Sequence, residues 1–244
     1  MSERTNENCE ISARSDYKGK YFSVVGDSIS TLNGFIPEGY ALYYTAETMK
    51  IAGIENEQDT WWGQIILRLG GRLLKNNSWS GSTVSYHAEF TPGSFAYLDS
   101  RMSMLGDADN SPDVIMIYMG VNDWANGTPV ETYGNMEARV SFGGSYRIML
   151  DHIKEHYPKA EVWCISPAVS SSAVDPDFVF PYCLGGIHIR EYAEAIGRAA
   201  EEKGCVFVDA NRNTTPVEAI DGIHPTKKGM YTLADEILKA RGIA

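Results

Sequence analysis

The chain has 244 residues, 43% of them hydrophobic, and a formal net charge of -11. That length supplies one sizeable core, and so acidic a balance excludes nucleic acid and anionic membrane as main partners. No apolar run approaches the roughly 18 residues of a membrane-spanning helix.

The first twenty residues, "MSERTNENCEISARSDYKGK", are polar and lack the apolar core of a signal peptide. The expectation is a cytoplasmic protein with a polar segment over 1–18 and a single domain over 19–244. Five short runs then read as strands: "YFSVVG" (21–26), "RLLKNNS" (72–78), "DVIMIYMG" (113–120), "EVWCIS" (161–166) and "CVFVDA" (205–210). Three are almost continuously apolar, as strands buried on both faces are. The second is weaker and belongs nearer a sheet edge. Between them lie helical patterns. "TWWGQIILRLGG" is closed by Gly70 and Gly71, a long stretch over 133–157 stops at Pro158, and "IREYAEAIGRAAEEKG" ends at Gly204. A last helix follows Thr226 and carries Met230, Leu233, Ile237 and Leu238. Strands alternating with helices predict a doubly wound α/β domain whose sites form beyond the carboxyl ends of the strands. Two long connections, 31–59 and 167–186, leave those ends and are placed to roof a site.

Cys9, Cys164, Cys183 and Cys205 form no C-x-x-C pair. Cys164 and Cys205 fall inside apolar runs and read as buried free thiols in a reducing compartment.

Four loops after predicted strands carry groups that can do chemistry. Ser28 follows the first strand, and a serine hydroxyl becomes a nucleophile when a base is beside it. In "DGIHPT", Asp221 is three residues before His224; one tight turn lets the carboxylate hold one ring nitrogen while the other faces a serine. Asn122, in "YMGVNDW", has an amide able to donate to an oxyanion, and Gly81, in "NNSWSGSTV", lets its N–H approach a substrate beside the Ser28 N–H. Taken singly, each stretch is equally an ordinary turn. A competing motif is "HIKEH", where His152 and His156 share a helix face in the spacing of an inverted zinc peptidase; a solvated helix end explains them as well. His87 can line a pocket, His188 opens a helix, and Asp27 and Asp123 adjoin the site, where hydrogen bonds to loop amides are their ordinary role.

The order "GDSIS", "SWSGST", "GVND", "DGIHP" resembles the SGNH, or GDSL-type, hydrolases over residues 26–225, with Ser28, Gly81, Asn122 and His224 in the namesake positions. The first block has Ile29 where the family's motif has Leu. The resemblance implies a flavodoxin-like three-layer α/β/α sandwich with a five-stranded parallel sheet. It also implies an acyl-ester hydrolase without metal or cofactor. Ser28 would be the nucleophile, His224 the base and Asp221 its orienting acid, with Ser28, Gly81 and Asn122 forming the oxyanion hole.

For the substrate, the expectation is a short-chain, acetyl, ester of a carbohydrate-like or small polar alcohol. Phe35, Tyr40, Tyr43, Tyr44, Trp61, Trp62 and Trp124 cluster near the site in sequence and can either stack on sugars or fill the core. Tyr40, His87, Trp124 and Asp27 are the candidate substrate contacts. No long apolar lid suggests a lipase. The alternatives are an acyltransferase and a non-catalytic carbohydrate-binding module on the same fold.

Overall fold

The computed structural model describes residues 16–173, 179–180, 186–212 and 215–243. Cys9, Cys183, most of the N-terminal polar segment and part of the 167–186 connection lie outside the described residues.

The elements in chain order are β1 (Tyr21–Gly26), α1 (Ala46–Ala52), α2 (Trp61–Leu69), β2 (Arg72–Ser78), α3 (Asp99–Met102), β3 (Val114–Tyr118), α4 (Val121–Ala125), α5 (Phe142–His156), β4 (Glu161–Ile165), β5 (Ser170–Ser172), β6 (Val179–Phe180), α6 (Ile189–Lys203), β7 (Val206–Val208), β8 (Val217–Ala219) and α7 (Lys227–Ala240). The main sheet is parallel, in the order β2-β1-β3-β4-β7. This is the flavodoxin-like doubly wound order, with its reversal between β1 and β3. Helices flank the sheet, with α2 packed on α7 and α5 on α6.

The central strands form where the sequence is densest in apolar residues. All five side chains of β3, "VIMIY", are buried, and truncating one of its isoleucines to alanine costs about 2–5 kcal/mol. β2, with Arg72 and Lys75 exposed, is the edge strand its composition predicts.

Several helices start and stop on local signals. Thr60 Oγ1 accepts from Gly63 N to open α2, and Gly70, at φ 66°, closes it. Thr226 caps α7 through Gly229 N, and Gly204, at φ 62°, ends α6. The helix expected over 133–157 is shorter. Gly134 sits at φ 56°, Ala138–Val140 forms one 3-10 turn, and Ser141 caps α5 by accepting from Gly144 N. The cap outcompetes the helical pattern before it.

The long connections contain structure of their own. Residues 31–59 include α1, capped by Thr45. The second connection supplies β5, which pairs with β6 and with β8 in a small separate sheet. Among the described residues, no helix is long and apolar enough to cross a membrane.

Candidate active site

Where β1 ends, the chain turns sharply. A Cβ on Gly26 would lie 2.3 Å from Ser30 Oγ, so only glycine fits. Asp27 caps a 3-10 turn, Ser28–Ser30, its Oδ1 accepting from Ile29 N at 3.0 Å. Ser30 is then held from three sides. Trp61 Nε1 donates to its Oγ, while Trp62 Nε1 and Asn76 Nδ2 donate to its carbonyl. Arg101, fully buried, donates to the Gly26 and Asn77 carbonyls at 3.0 and 2.9 Å. Ser28 therefore stands on a rigid base at the carboxyl end of the sheet.

The loop after β8 brings the partners. His224 Nε2 is 2.8 Å from Ser28 Oγ, and His224 Nδ1 is 2.7 Å from Asp221 Oδ2. Asp221 Oδ1 also accepts from Ile223 N and His224 N, at 3.0 and 2.8 Å. With Nδ1–H directed at the carboxylate, Nε2 is left to accept from the serine hydroxyl. Partial burial alone would raise the Asp221 carboxyl; the His224 ring, its backbone N–H and the Ile223 N–H outweigh it and hold the group well below the usual carboxylate range. The arrangement can pass a proton from Ser28 Oγ to His224 while a fixed negative charge stabilises the imidazolium.

Two further loops adjoin this group. Asn122, on α4, donates from Nδ2 to the Ser82 carbonyl at 2.9 Å, which leaves its second amide hydrogen for another acceptor. Its neighbour Asp123 accepts from Val84 N, Ser85 N and Ser85 Oγ, lacing the loop after β3 to the loop after β2. Trp79 N donates to the Gly26 carbonyl at 3.1 Å and joins the second loop to the Ser28 turn. Gly81 sits between these ties at φ 77°.

Asp27 and Asp123 are both fully buried, and burial raises each carboxyl to about 6. Asp27 Oδ2 has no hydrogen-bond partner among the described residues. Its remaining contacts are internal, so Asp27 serves the turn and is no substrate contact.

The other expected substrate contacts divide. Trp124 is wholly buried and donates from Nε1 to the Ile187 carbonyl at 2.8 Å, so it is no sugar platform. The single turn of α4 points it inward while exposing Asn122 in part. Trp61, Trp62 and Tyr44 are buried as well. His87 is 2.8 Å from Thr128 Oγ1 and stacks on Phe90, and it makes no hydrogen bond to Ser28, Asp221 or His224. Tyr40 stays partly exposed and packs on Trp79, with ring centroids 4.0 Å apart and planes tilted by 31°. His152 and His156 both face the Asp99 carboxylate, at 3.4 and 2.6 Å. Among the described residues, no group of three or more His, Cys, Asp or Glu is placed to hold a metal ion. His188 caps α6, its Nδ1 accepting from Arg190 N.

A cavity of about 710 Å³ runs along the edge strand past Leu73, Asn76 and Met104 and includes none of the Ser28, Asp221 and His224 group. Beside that group is a much smaller, mostly apolar hollow, about 10 Å³, among Ile29, Val121, Trp124, Ala168, Ser170, Ile189 and Ile223. Three of these residues are chain neighbours of Ser28, Asn122 and His224.

A family model described as GDSL-like lipase/acylhydrolase matches residues 20–174, well over half the chain and inclusive of Ser28, Gly81 and Asn122. The chain belongs to the GDSL-like lipase/acylhydrolase family. By that membership it is a carboxylic-ester hydrolase. The matched stretch ends before Asp221 and His224, whose place beside Ser28 is given by the distances above. Solved structures share the family's fold at low identity. A GDSL-like lipase from Bacteroides ovatus superposes with a TM-score of 0.65 at 22% identity, over 91% of this chain and 97% of that one. A carbohydrate acetylesterase from Sinorhizobium meliloti gives 0.60 at 18% identity, over 90% and 97%. An aryl esterase from M. smegmatis gives 0.60 at 18%, over 93% and 100%. No curated protein sequence matches the chain.

Sequence reasoning missed two residues of this GDSL-like site. Arg101 carries no local signal, because an isolated arginine in a polar stretch reads as surface. Tyr43 was one aromatic among several in the 31–59 connection, yet its ring lies flat on His224, with centroids 3.4 Å apart and planes 10° from parallel.

Proposed function

We propose that the protein is a serine esterase that removes short acyl groups, acetyl above all, from a carbohydrate-like or small polar alcohol. The observation that carries this reading is the continuous hydrogen-bonded path from Ser28 Oγ through the His224 ring to Asp221. Ser28 Oγ attacks the ester carbonyl carbon as His224 Nε2 takes its proton. The oxyanion is held by the N–H groups of Ser28 and Gly81 and by the free amide hydrogen of Asn122. His224 gives its proton to the leaving alcohol, and the acyl group stays on Ser28. Water then repeats the sequence, releasing the acid and restoring the hydroxyl.

Acyl size is argued from the mostly apolar hollow lined by Ile29, the residue after Ser28, whose 10 Å³ is about the room of one water-sized group such as a methyl. The alcohol side is argued from Tyr40 packed at a tilt on Trp79, two residues before Gly81, a partly exposed aromatic surface of the kind that sugar rings pack on. The free thiols of Cys164 and Cys205 suit a reducing compartment such as the cytoplasm.

The test is a series of p-nitrophenyl esters and acetylated sugars, run on wild type and Ser28→Ala together. Acetate is expected to be the best acyl group, and Ser28→Ala to lose roughly a thousandfold or more in kcat with an unchanged melting temperature. A preference for long chains, or wild-type activity in Ser28→Ala, would refute the reading.

A further inference from the structure

Asp221 does its proposed work from an exposed position. Its side chain is 44% exposed, whereas that of His224 is 14% exposed. A carboxylate open to water is free to rotate and to exchange its imidazole partner for solvent. Something other than burial must hold it.

The 31–59 connection supplies that hold through two consecutive tyrosines. The Tyr43 hydroxyl donates to Asp221 Oδ2 at 3.0 Å, the same oxygen that His224 Nδ1 meets at 2.7 Å. With Oδ1 accepting two backbone N–H groups, both carboxylate oxygens are engaged and rotation is blocked. The Tyr43 ring covers one face of His224 at 3.4 Å, so the imidazole cannot tilt in that direction. Tyr43 N donates to Thr31 Oγ1, and Thr31 Oγ1 donates to the Ser28 carbonyl at 2.9 Å. The residue that grips the acid–base pair is thereby tied to the backbone of Ser28. Tyr44, buried beneath, packs edge-on against Tyr43 and donates to the Pro225 carbonyl at 2.7 Å, fixing the chain just after His224.

From this geometry we infer that Tyr43 is a positioning residue of the site, orienting the Asp221–His224 pair toward Ser28 in place of the burial that Asp221 lacks. The inference rests on the proposed serine mechanism and adds a member to it. Burial and the Asp221 carboxylate push the Tyr43 hydroxyl well above the ordinary tyrosine range, so it remains a donor throughout any assay. The charged and titratable groups around His224 are Asp221 on its own loop, Tyr43 from the 31–59 connection and the buried Asp27 under the Ser28 turn.

The test compares Tyr43→Phe and Tyr43→Leu with wild type in the full chain. It reads kcat, KM and the pH profile of kcat/KM on p-nitrophenyl acetate, and the NMR signal of the His224 Nδ1 proton. Tyr43→Phe keeps the stack and loses the hydroxyl. Its kcat is expected to fall roughly three- to tenfold with KM little changed. The acid limb of kcat/KM should move up by roughly 0.3–1 pH unit, because Asp221, relieved of one donor, favours the imidazolium more strongly. Tyr43→Leu also loses the stack and should lower kcat about tenfold further, with the Nδ1 proton broadened by exchange with water. Should Tyr43→Leu not fold, the isosteric Tyr43→Phe still decides. A change confined to KM, with kcat, pH profile and Nδ1 proton as in wild type, would assign Tyr43 to the substrate and overturn the inference, as would two variants indistinguishable from wild type. The Nδ1 proton needs no turnover. A wild type without Ser28-dependent activity therefore sinks the serine mechanism while the NMR comparison still judges Tyr43.

Discussion

The Asn122 side-chain amide donates to the Ser82 carbonyl oxygen at 2.9 Å, so the residue after β3 is fixed by the residue that follows Gly81. Two of the three proposed oxyanion donors are thus tied through the residue next to one of them, with Asp123 reinforcing the same seam through Val84 and Ser85. Preorganisation of this kind is what makes an oxyanion donor effective, since no reorientation is needed as charge develops.

Asn122→Ala removes that donor and the tie together. The expected result is a hundred- to thousandfold loss in kcat, on the order of 3–4 kcal/mol, with KM changed far less. Steady-state kinetics on an acetate ester checks it, and a loss confined to KM would contradict the oxyanion role. Asn122→Asp tests the sign of the field, because a carboxylate there opposes an oxyanion and should be no better than alanine.

Gly81→Ala separates backbone strain from crowding. A Cβ at Gly81 meets nothing within 4 Å, so no clash is expected, but φ 77° costs an alanine about 1–2 kcal/mol. The chain should relieve that strain by shifting the Gly81 N–H. The variant is expected to fold with slightly reduced melting temperature and to lose roughly tenfold in kcat. Full activity in a destabilised variant would place the oxyanion elsewhere.

Asp27→Asn is read through the pH dependence of stability. Asp27 is fully buried, and burial raises it to about 6 from the ordinary aspartate range, so between those values the folded state holds a proton that the unfolded chain releases. Its contribution is fully present below the unfolded value and is lost as pH rises through about 6. In wild type, deprotonating the buried group above pH 6 opposes folding by roughly 2–3 kcal/mol at most. Asparagine has no charge to bury. Whatever the variant's stability at pH 5, its melting temperature relative to wild type should improve between pH 5 and pH 8. A flat difference across that range would mean that Asp27 ionises in the folded state as readily as in the unfolded chain.

Much of this was legible in the sequence, for identifiable reasons. The strands showed because residues buried on both faces leave nearly unbroken apolar runs, as in "VIMIY". Ser28 and Asn122 showed because each follows a strand of the parallel sheet, which gathers such loops at one edge, whereas the Asp221–His224 pair, expected after the last strand of that sheet, follows β8 of the small separate sheet and showed by its D-x-x-H spacing. Trp124 was misread because one helical turn decides whether a residue beside Asn122 faces the solvent or the core. Tyr43 was illegible for another reason. Nothing local separates it from Tyr40 or Tyr44, and its partners lie some 180 residues away in sequence. The start of α5 was placed too early because the stretch after Tyr133 has helical composition, whereas Gly134 and the Ser141 cap decide the matter.

The hollow beside Ser28 gives the substrate reading its sharpest check. Ile189, the first residue of α6, is 3% exposed and forms one wall, without touching the proposed catalytic groups through any hydrogen bond. Ile189→Ala deletes three carbons and should cost about 2–5 kcal/mol of stability, read as a lower melting temperature. If acyl groups enter this hollow, the space created accepts a longer chain. The butyrate-to-acetate ratio of kcat/KM should then rise several-fold, since each methylene newly buried is worth about 0.8 kcal/mol. The ratio, being measured within one variant, is insensitive to the general loss of stability. A ratio unchanged from wild type would put the acyl group outside the hollow and remove the argument for acetyl.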